Sequence, residues 1–156
     1  MNERINSVRK ILEIEDLDGL LVCTAHNIAY LTGFFGFSTH ERDGYVLITQ
    51  KNTYVLTSPL YSEGVRTAIN NDTVSIIELS PAKKLTTVIQ ELVDAQNVKT
   101  IGFEEHLTYY EYERFKKLKN TKLKLVSELI ETVREIKSGD ELEKIKKACK
   151  LTDDTF

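Results

Sequence analysis

Ile5, Val8, Ile11 and Leu12 recur every three to four residues after Asn2. That spacing predicts an amphipathic helix, capped at its start by Asn2 and ending near residues 16–18. Gly19, Leu20, Leu21, Val22 and Cys23 then run without polar alternation, as a strand buried on both faces does. The stretch 26–33 reads as a short helix stopped by Gly33. A loop of mixed aromatic and polar residues, 34–43, separates it from two β-rich runs, 45–49 and 53–57. Lys51 and Asn52 lie in the short polar turn between these runs, so the pair reads as a hairpin.

Ser58-Pro59 opens a helix, because serine can accept from orphan backbone N–H groups and proline loses nothing at the first helical position. A strand over 74–77 follows, and Ser80-Pro81 repeats the start signal for a helix carrying Leu85, Val88, Ile89 and Leu92. Residues 100–103 form a further strand. Thr108 and Glu111 make a capping box for the next helix, while Leu123, Leu125 and Val126 mark an extended segment. Ser127 is placed to cap a short helix running to Ile136. Strands thus alternate with helices around one hairpin, which predicts a three-layer α/β domain with a mixed β-sheet.

Ser138 and Glu141 form a second capping box, and Leu142, Ile145, Ala148, Cys149 and Thr152 share one face of the helix it starts. No stop signal precedes Phe156. The expected organisation is a domain over residues 1–137, with 138–156 as the first helix of a second, truncated domain.

A length of 156 residues suits one domain that buries roughly 70% of the surface its unfolded chain exposes. Apolar residues make up 41% of the chain, enough to form a core. Lys and Arg total 21 against 24 Asp and Glu, a formal charge of -3, which argues against neutralisation of many nucleic-acid phosphates. No apolar run reaches the roughly 18 residues that a membrane span needs. The N-terminus lacks the apolar stretch of a signal peptide, so the expected location is cytoplasmic, with Cys23 and Cys149 reduced. Asn71-Asp72-Thr73 fits the glycosylation pattern, which without secretion is a chance match.

Chemistry finds few footholds. His26, His40 and His106 are isolated in sequence and neither cysteine has a partner at ligand spacing, so no metal site is expected. Glu104-Glu105-His106 is the densest candidate, but it follows a strand and precedes a capping box, which favours a solvated turn. Gly33-Phe34-Phe35-Gly36 is too bulky to cradle a phosphate, and no nucleophile elbow is present. The lysines between 116 and 124 read as a solvated helix end and loop. The loop at 34–43 stands apart: three phenylalanines precede four consecutive ionisable side chains, in a connection longer than the usual four to six residues. It either binds something, or plugs the core edge with its aromatics while its charges face water.

Asn27-Ile28-Ala29-Tyr30-Leu31-Thr32-Gly33-Phe34 with the hairpin ending at Thr57, then Ile101-Gly102-Phe103-Glu104-Glu105, then Arg134-Glu135-Ile136-Lys137-Ser138 with Glu141, Leu142 and Ala148, occur in a telling order. Together they resemble the N-terminal domain of the creatinase, prolidase and aminopeptidase P family. The resemblance spans nearly the whole chain. It implies a ribonuclease-H-like fold and a parent enzyme that hydrolyses peptides with proline in second position. It implies two divalent metals (manganese, cobalt or zinc) held in a second domain beyond Phe156, so this stretch alone has no cofactor and is expected to be inactive.

By the same resemblance, the partners are the chain's own catalytic domain, a second subunit in a homodimer, and a proline-containing peptide, with neither nucleic acid nor membrane. The loop after Gly33 occupies the place that reaches the partner subunit's cleft. His40 and Arg42, with Phe35 or Phe37, are therefore the candidate substrate-binding residues, Arg42 as a bidentate clamp on a carboxylate and His40 as a hydrogen-bond donor. Ser58-Pro59-Leu60-Tyr61 departs from the Asp-x-Arg-Tyr segment of many bacterial aminopeptidases and is closer to archaeal prolidase-like members. Two alternatives remain open: a protein-binding module of the histone-chaperone kind, and a creatinase-type hydrolase.

Overall fold

The computed structural model describes residues 2–69 and 73–155, without the Asn2 side chain. The Asn2 cap and the Asn71 glycosylation pattern therefore lie outside the described residues. The elements run α1 (Asn2–Ile14), β1 (Gly19–Val22), α2 (Ala25–Thr32), β2 (Gly44–Thr49), β3 (Thr53–Thr57), α3 (Pro59–Ile69), β4 (Val74–Glu78), α4 (Leu85–Gln96), β5 (Thr100–Glu104), α5 (Tyr109–Phe115), β6 (Lys122–Val126), α6 (Leu129–Glu135) and α7 (Gly139–Asp153). The strands form one mixed sheet in the order β4-β3-β2-β1-β5-β6. Helical crossovers after β3, β4 and β5 return the chain to the starting edge, so every strand except β2 runs the same way. β2 is reversed because α2 and residues 34–43 never leave the edge where β1 ends. That connection occupies the carboxyl edge of the parallel strands, where α/β sheets hold their ligands.

Side-chain alternation along β1 divides the core in two. Leu20 and Val22 face a layer with Val8 and Leu12 of α1, Ile28 of α2, Val65 of α3 and Ile130 of α6. Leu21 faces the opposite layer, with Val88 and Ile89 of α4 and Phe115 of α5. Each fully buried aliphatic or aromatic side chain contributes about 1.5–3 kcal/mol relative to exposure. This is the three-layer α/β architecture that the alternation of elements predicts. At the edge strand β6, Lys122 is exposed and Lys124 is paired with Glu15 at 3.1 Å. Charges on an edge strand discourage pairing with another sheet.

Two predicted helix starts are displaced. Ser80 closes a turn with Lys83 instead of opening a helix, and α4 begins at Leu85 after Lys84. Helix α6 begins after Glu128, which sits at φ 56°, and not after Ser127. Both capping boxes form as expected, Thr108 with Glu111 and Ser138 with Glu141. Gly33 ends α2 at φ 77°, a conformation that costs glycine nothing.

No residue of α7 is buried. One arginine ties its first turn to the sheet domain: Arg4 donates to the Tyr30 carbonyl at 2.6 Å and to Glu141 at 2.7 Å, and lies over the Tyr30 ring at 4.3 Å. The Ser138 backbone N–H, the Ser138 hydroxyl and Arg4 together hold the Glu141 carboxyl below its ordinary pKa, against a partial desolvation. Because this ion pair is partly exposed, its contribution to stability is small. Arg4→Ala should speed hydrogen exchange in the first turn of α7 while lowering the unfolding free energy by only about 1 kcal/mol. Unchanged exchange there would show that α7 holds its place without Arg4.

Candidate functional site

The carboxyl edge is organised by Glu104, the last residue of β5, which is 6% exposed. One of its oxygens accepts from the Cys23 amide at 2.6 Å, the Thr24 amide at 2.8 Å and the Thr24 hydroxyl at 2.9 Å. The other accepts from the Asn27 side-chain amide at 2.7 Å. These are the groups that the chain leaves unpaired as it turns from β1 into α2. Thr24 precedes α2 without capping it by its own side chain, and its hydroxyl donates to Glu104 instead. A carboxylate here also meets the positive end of the helix dipole. The expectation of a solvated turn at 104–106 is thus corrected: Glu105 and His106 are exposed, but Glu104 is buried because β5 lies inside the sheet beside β1.

Asn27 extends the network. Its amide nitrogen also donates to Glu131 at 2.6 Å, and its carbonyl accepts from Arg134 at 2.9 Å. Helix α6 is thereby fixed to α2, and Arg134 lies 5.9 Å from the Tyr30 ring centroid. A cleft of about 540 Å³ opens beside it, lined by Tyr30, Glu131, Arg134 and Lys144.

The loop at 34–43 divides into a buried half and an exposed half. Phe34 and Phe37 meet edge to face at 4.8 Å, and Phe37 meets Tyr61 at 5.3 Å. Gly44 is required beneath them, since a Cβ there would come within 2.6 Å of the Phe37 ring. Phe37 is 8% exposed, so its candidacy as a cleft-facing residue is withdrawn: it is a core residue. Phe35 is 83% exposed and points out of the core. His40 is exposed as well, and its imidazole has no hydrogen-bond partner among the described residues.

Arg42 is engaged within its own domain. Its guanidinium donates to the Glu111 carboxylate at 3.1 Å, to the His106 carbonyl at 2.8 Å and to the Cys23 carbonyl. Glu111 accepts from the Tyr45 hydroxyl with the same oxygen, while its other oxygen completes the α5 capping box with the Thr108 amide at 2.8 Å and hydroxyl at 2.7 Å. Desolvation works to raise the Glu111 pKa, yet the bonds from Tyr45 and Thr108 and the Arg42 charge outweigh it and hold the carboxyl below its ordinary value. Burial, then the bond to Glu111, pushes the Tyr45 phenol well above its ordinary value, so it stays a donor. In the sequence Glu111 is legible only as a capping residue; nothing there ties it to Arg42, 69 positions away.

Among the described residues no three His, Cys, Asp or Glu side chains cluster to hold a metal ion. No described helix is long and apolar enough to cross a membrane.

A mixed six-stranded sheet with helices on both faces, bearing a braced loop at its carboxyl edge, defines an α/β domain. The sequence profile of the Creatinase/Prolidase N-terminal domain matches residues 4–136, and the chain belongs to that family. It is 28% identical over 154 residues to the Xaa-Pro dipeptidase of Pyrococcus horikoshii, covering 98% of this chain and 40% of that protein. It is 27% identical over 155 residues to the uncharacterized peptidase YqhT of Bacillus subtilis, covering 98% of this chain and 41% of that one. The chain thus spans about two-fifths of the length of these relatives. Among solved structures, the Xaa-Pro dipeptidase from Bacillus anthracis aligns with a TM-score of 0.78 at 25% identity, over 90% of this chain and 38% of that one. The Creatinase/Prolidase N-terminal domain of an X-Pro dipeptidase from Streptococcus pyogenes aligns at 0.70 with 17% identity, over 87% of this chain and all of that one.

Removing the Glu104 carboxylate strands the Cys23 and Thr24 amides and the Thr24 hydroxyl and leaves the Asn27 amide nitrogen with Glu131 alone, and a polar group left unpaired in the interior costs about 1–3 kcal/mol. Glu104→Ala should therefore destabilise the domain by about 3 kcal/mol or more in denaturant unfolding. Glu104→Gln should cost less, since it keeps an acceptor but sets one amide nitrogen against another at Asn27. An alanine variant as stable as the parent would remove Glu104 from its central place.

Both cysteines are free, Cys23 buried and Cys149 exposed. Burial and the nearby Glu104 push the Cys23 thiol up to about 12. At about pH 8 a maleimide should label Cys149 in the native chain and reach Cys23 only on unfolding, as mass spectrometry would show. Equal labelling of both in the native state would mean that the edge opens.

Proposed function

We propose that this chain is the N-terminal, non-catalytic domain of a metal-dependent peptidase that cleaves Xaa-Pro bonds, with dipeptides as its preferred substrates. The observation that carries the reading is membership of the Creatinase/Prolidase N-terminal domain family over residues 4–136, together with the match to two-fifths of the length of relatives named Xaa-Pro dipeptidase. Their remaining length leaves room for a catalytic domain that holds two divalent ions, which would activate water and polarise the scissile carbonyl.

In this reading the domain supplies dimer contacts and a wall of the partner subunit's cleft. The braced loop is the part that faces the peptide, through Phe35 and His40. Phe35 offers an apolar ring and His40 an imidazole able to donate to a peptide carbonyl or carboxylate. Arg42 borders the site from within the domain. Two free cysteines suit a reducing, cytoplasmic setting. No observation favours the protein-binding-module or creatinase-type alternatives over this one.

The test is an assay of the longer protein encoded by the parent gene, with manganese, cobalt or zinc, on Xaa-Pro dipeptides, longer Xaa-Pro peptides and creatine. Hydrolysis of the Xaa-Pro dipeptides, lost on chelation and absent from residues 1–156 alone, is the expected result. Absence of Xaa-Pro hydrolysis with every metal would sink the proposal.

A further inference from the structure

The two halves of the loop at 34–43 are held by different means. The first half is seated by its aromatics. Phe34 and Phe37 lie on the core, and the Phe34 amide donates to the Thr32 hydroxyl at 3.1 Å. The second half closes on itself: the Ser38 amide donates to Asp43 at 2.9 Å, and the Ser38 hydroxyl accepts from the His40 amide at 3.1 Å and the Glu41 amide at 3.3 Å. Its side-chain ties to the body are the Asp43 carboxylate, which meets the Tyr61 hydroxyl of α3, and Arg42, two residues after His40, whose guanidinium bridges the end of β1, the turn after β5 and the first turn of α5. The neighbouring backbone adds one more bond, from the Thr57 hydroxyl to the Asp43 carbonyl at 2.7 Å.

Glu111 is itself immobilised before Arg42 reaches it. One oxygen is held by the Thr108 amide and hydroxyl, and the oxygen that meets Arg42 also accepts from Tyr45 on β2. Helix α5 therefore presents a carboxylate of fixed position, and a planar guanidinium fork reads that position where a lysine ammonium would not. A role for Arg42 as a side-on bidentate clamp on substrate would compete with the Glu111 carboxylate and two backbone carbonyls for a charged donor.

We infer that Arg42 and Glu111 are positioning residues: they fix the direction of residues 38–41 so that the His40 imidazole is presented outward, and Arg42 does not itself meet the peptide. For the identity of the presented ligand, a peptide, this inference rests on the proposed function; for the anchoring, it rests on the geometry alone.

Hydrogen exchange on residues 1–156 tests the anchoring. Arg42→Ala should speed exchange of the His40 and Glu41 amides by roughly tenfold, the size expected for loss of a charge-assisted hydrogen bond, with α5 and the sheet still protected. Arg42→Lys should restore little of that protection. Glu111→Gln should loosen both the loop and the start of α5, because it also weakens the capping box. His40→Ala should leave exchange unchanged. Unaltered loop exchange in Arg42→Ala, or equal acceleration throughout the domain, would overturn the anchoring.

The longer protein supplies the second arm. There, Arg42→Ala and Glu111→Gln should raise KM for an Xaa-Pro dipeptide, with Arg42→Lys failing to rescue. Loosened exchange with KM unchanged would overturn the positioning role. An absence of Xaa-Pro hydrolysis in the parent protein would instead defeat the proposed function, while the exchange result still decides whether the anchor exists.

Discussion

The structure depends on one buried carboxylate at the end of β5. Where β1 gives way to α2, the chain must leave the sheet within two residues, and the amides of Cys23 and Thr24 lose their ladder partners in the interior. A buried amide without an acceptor is costly, so the turn is possible only where an acceptor waits. Glu104 is that acceptor. Because β5 is parallel to β1, both strands end at the same edge, and a side chain on the last residue of one meets the backbone leaving the other. Through Asn27 the same carboxylate is linked to Glu131 and Arg134, which places α6 against α2.

That brace makes an irregular connection usable. With α2 fixed, the loop leaving Gly33 starts from a defined point, and its aromatic half settles on α3, where Phe34 approaches Gly64 and Phe37 meets Tyr61. The polar half is oriented from the opposite side of the sheet, by Glu111 on α5. Two layers therefore converge on one loop, which is how a long connection becomes ordered without regular hydrogen bonding of its own. The loop divides between held and open residues: Phe34, Phe37 and Arg42 hold it, while Phe35 and His40 are left facing solvent.

Much of this was legible in order along the chain. Period and punctuation placed the elements, since apolar spacing and capping boxes are local effects that need no tertiary partner. Local signals failed where two of them competed. Ser80-Pro81 has the composition of a helix start, but the chain uses it for a turn before α4. Ser127 was a better cap by type than Glu128, yet the chain enters α6 through a left-handed residue at Glu128. The three phenylalanines were legible as a group and not individually, because which of them faces the core depends on the shape of α3 and β2 beneath them.

The sequence by itself determined the class of fold, the family motifs and the position of the long aromatic and charged loop, because hydrophobic period and turn chemistry act over a few residues. The tertiary structure alone decided the roles of the charged residues. Glu104, Arg42 and Glu111 are ordinary surface types, and in a linear reading they are a solvated turn, a substrate clamp and a helix cap. Sheet order brings Cys23 to Glu104 and Arg42 to Glu111 across separations of 81 and 69 residues, and the value of a charge depends on what surrounds it. Burial against orphan amides makes Glu104 the brace, and a preset carboxylate makes Arg42 an anchor.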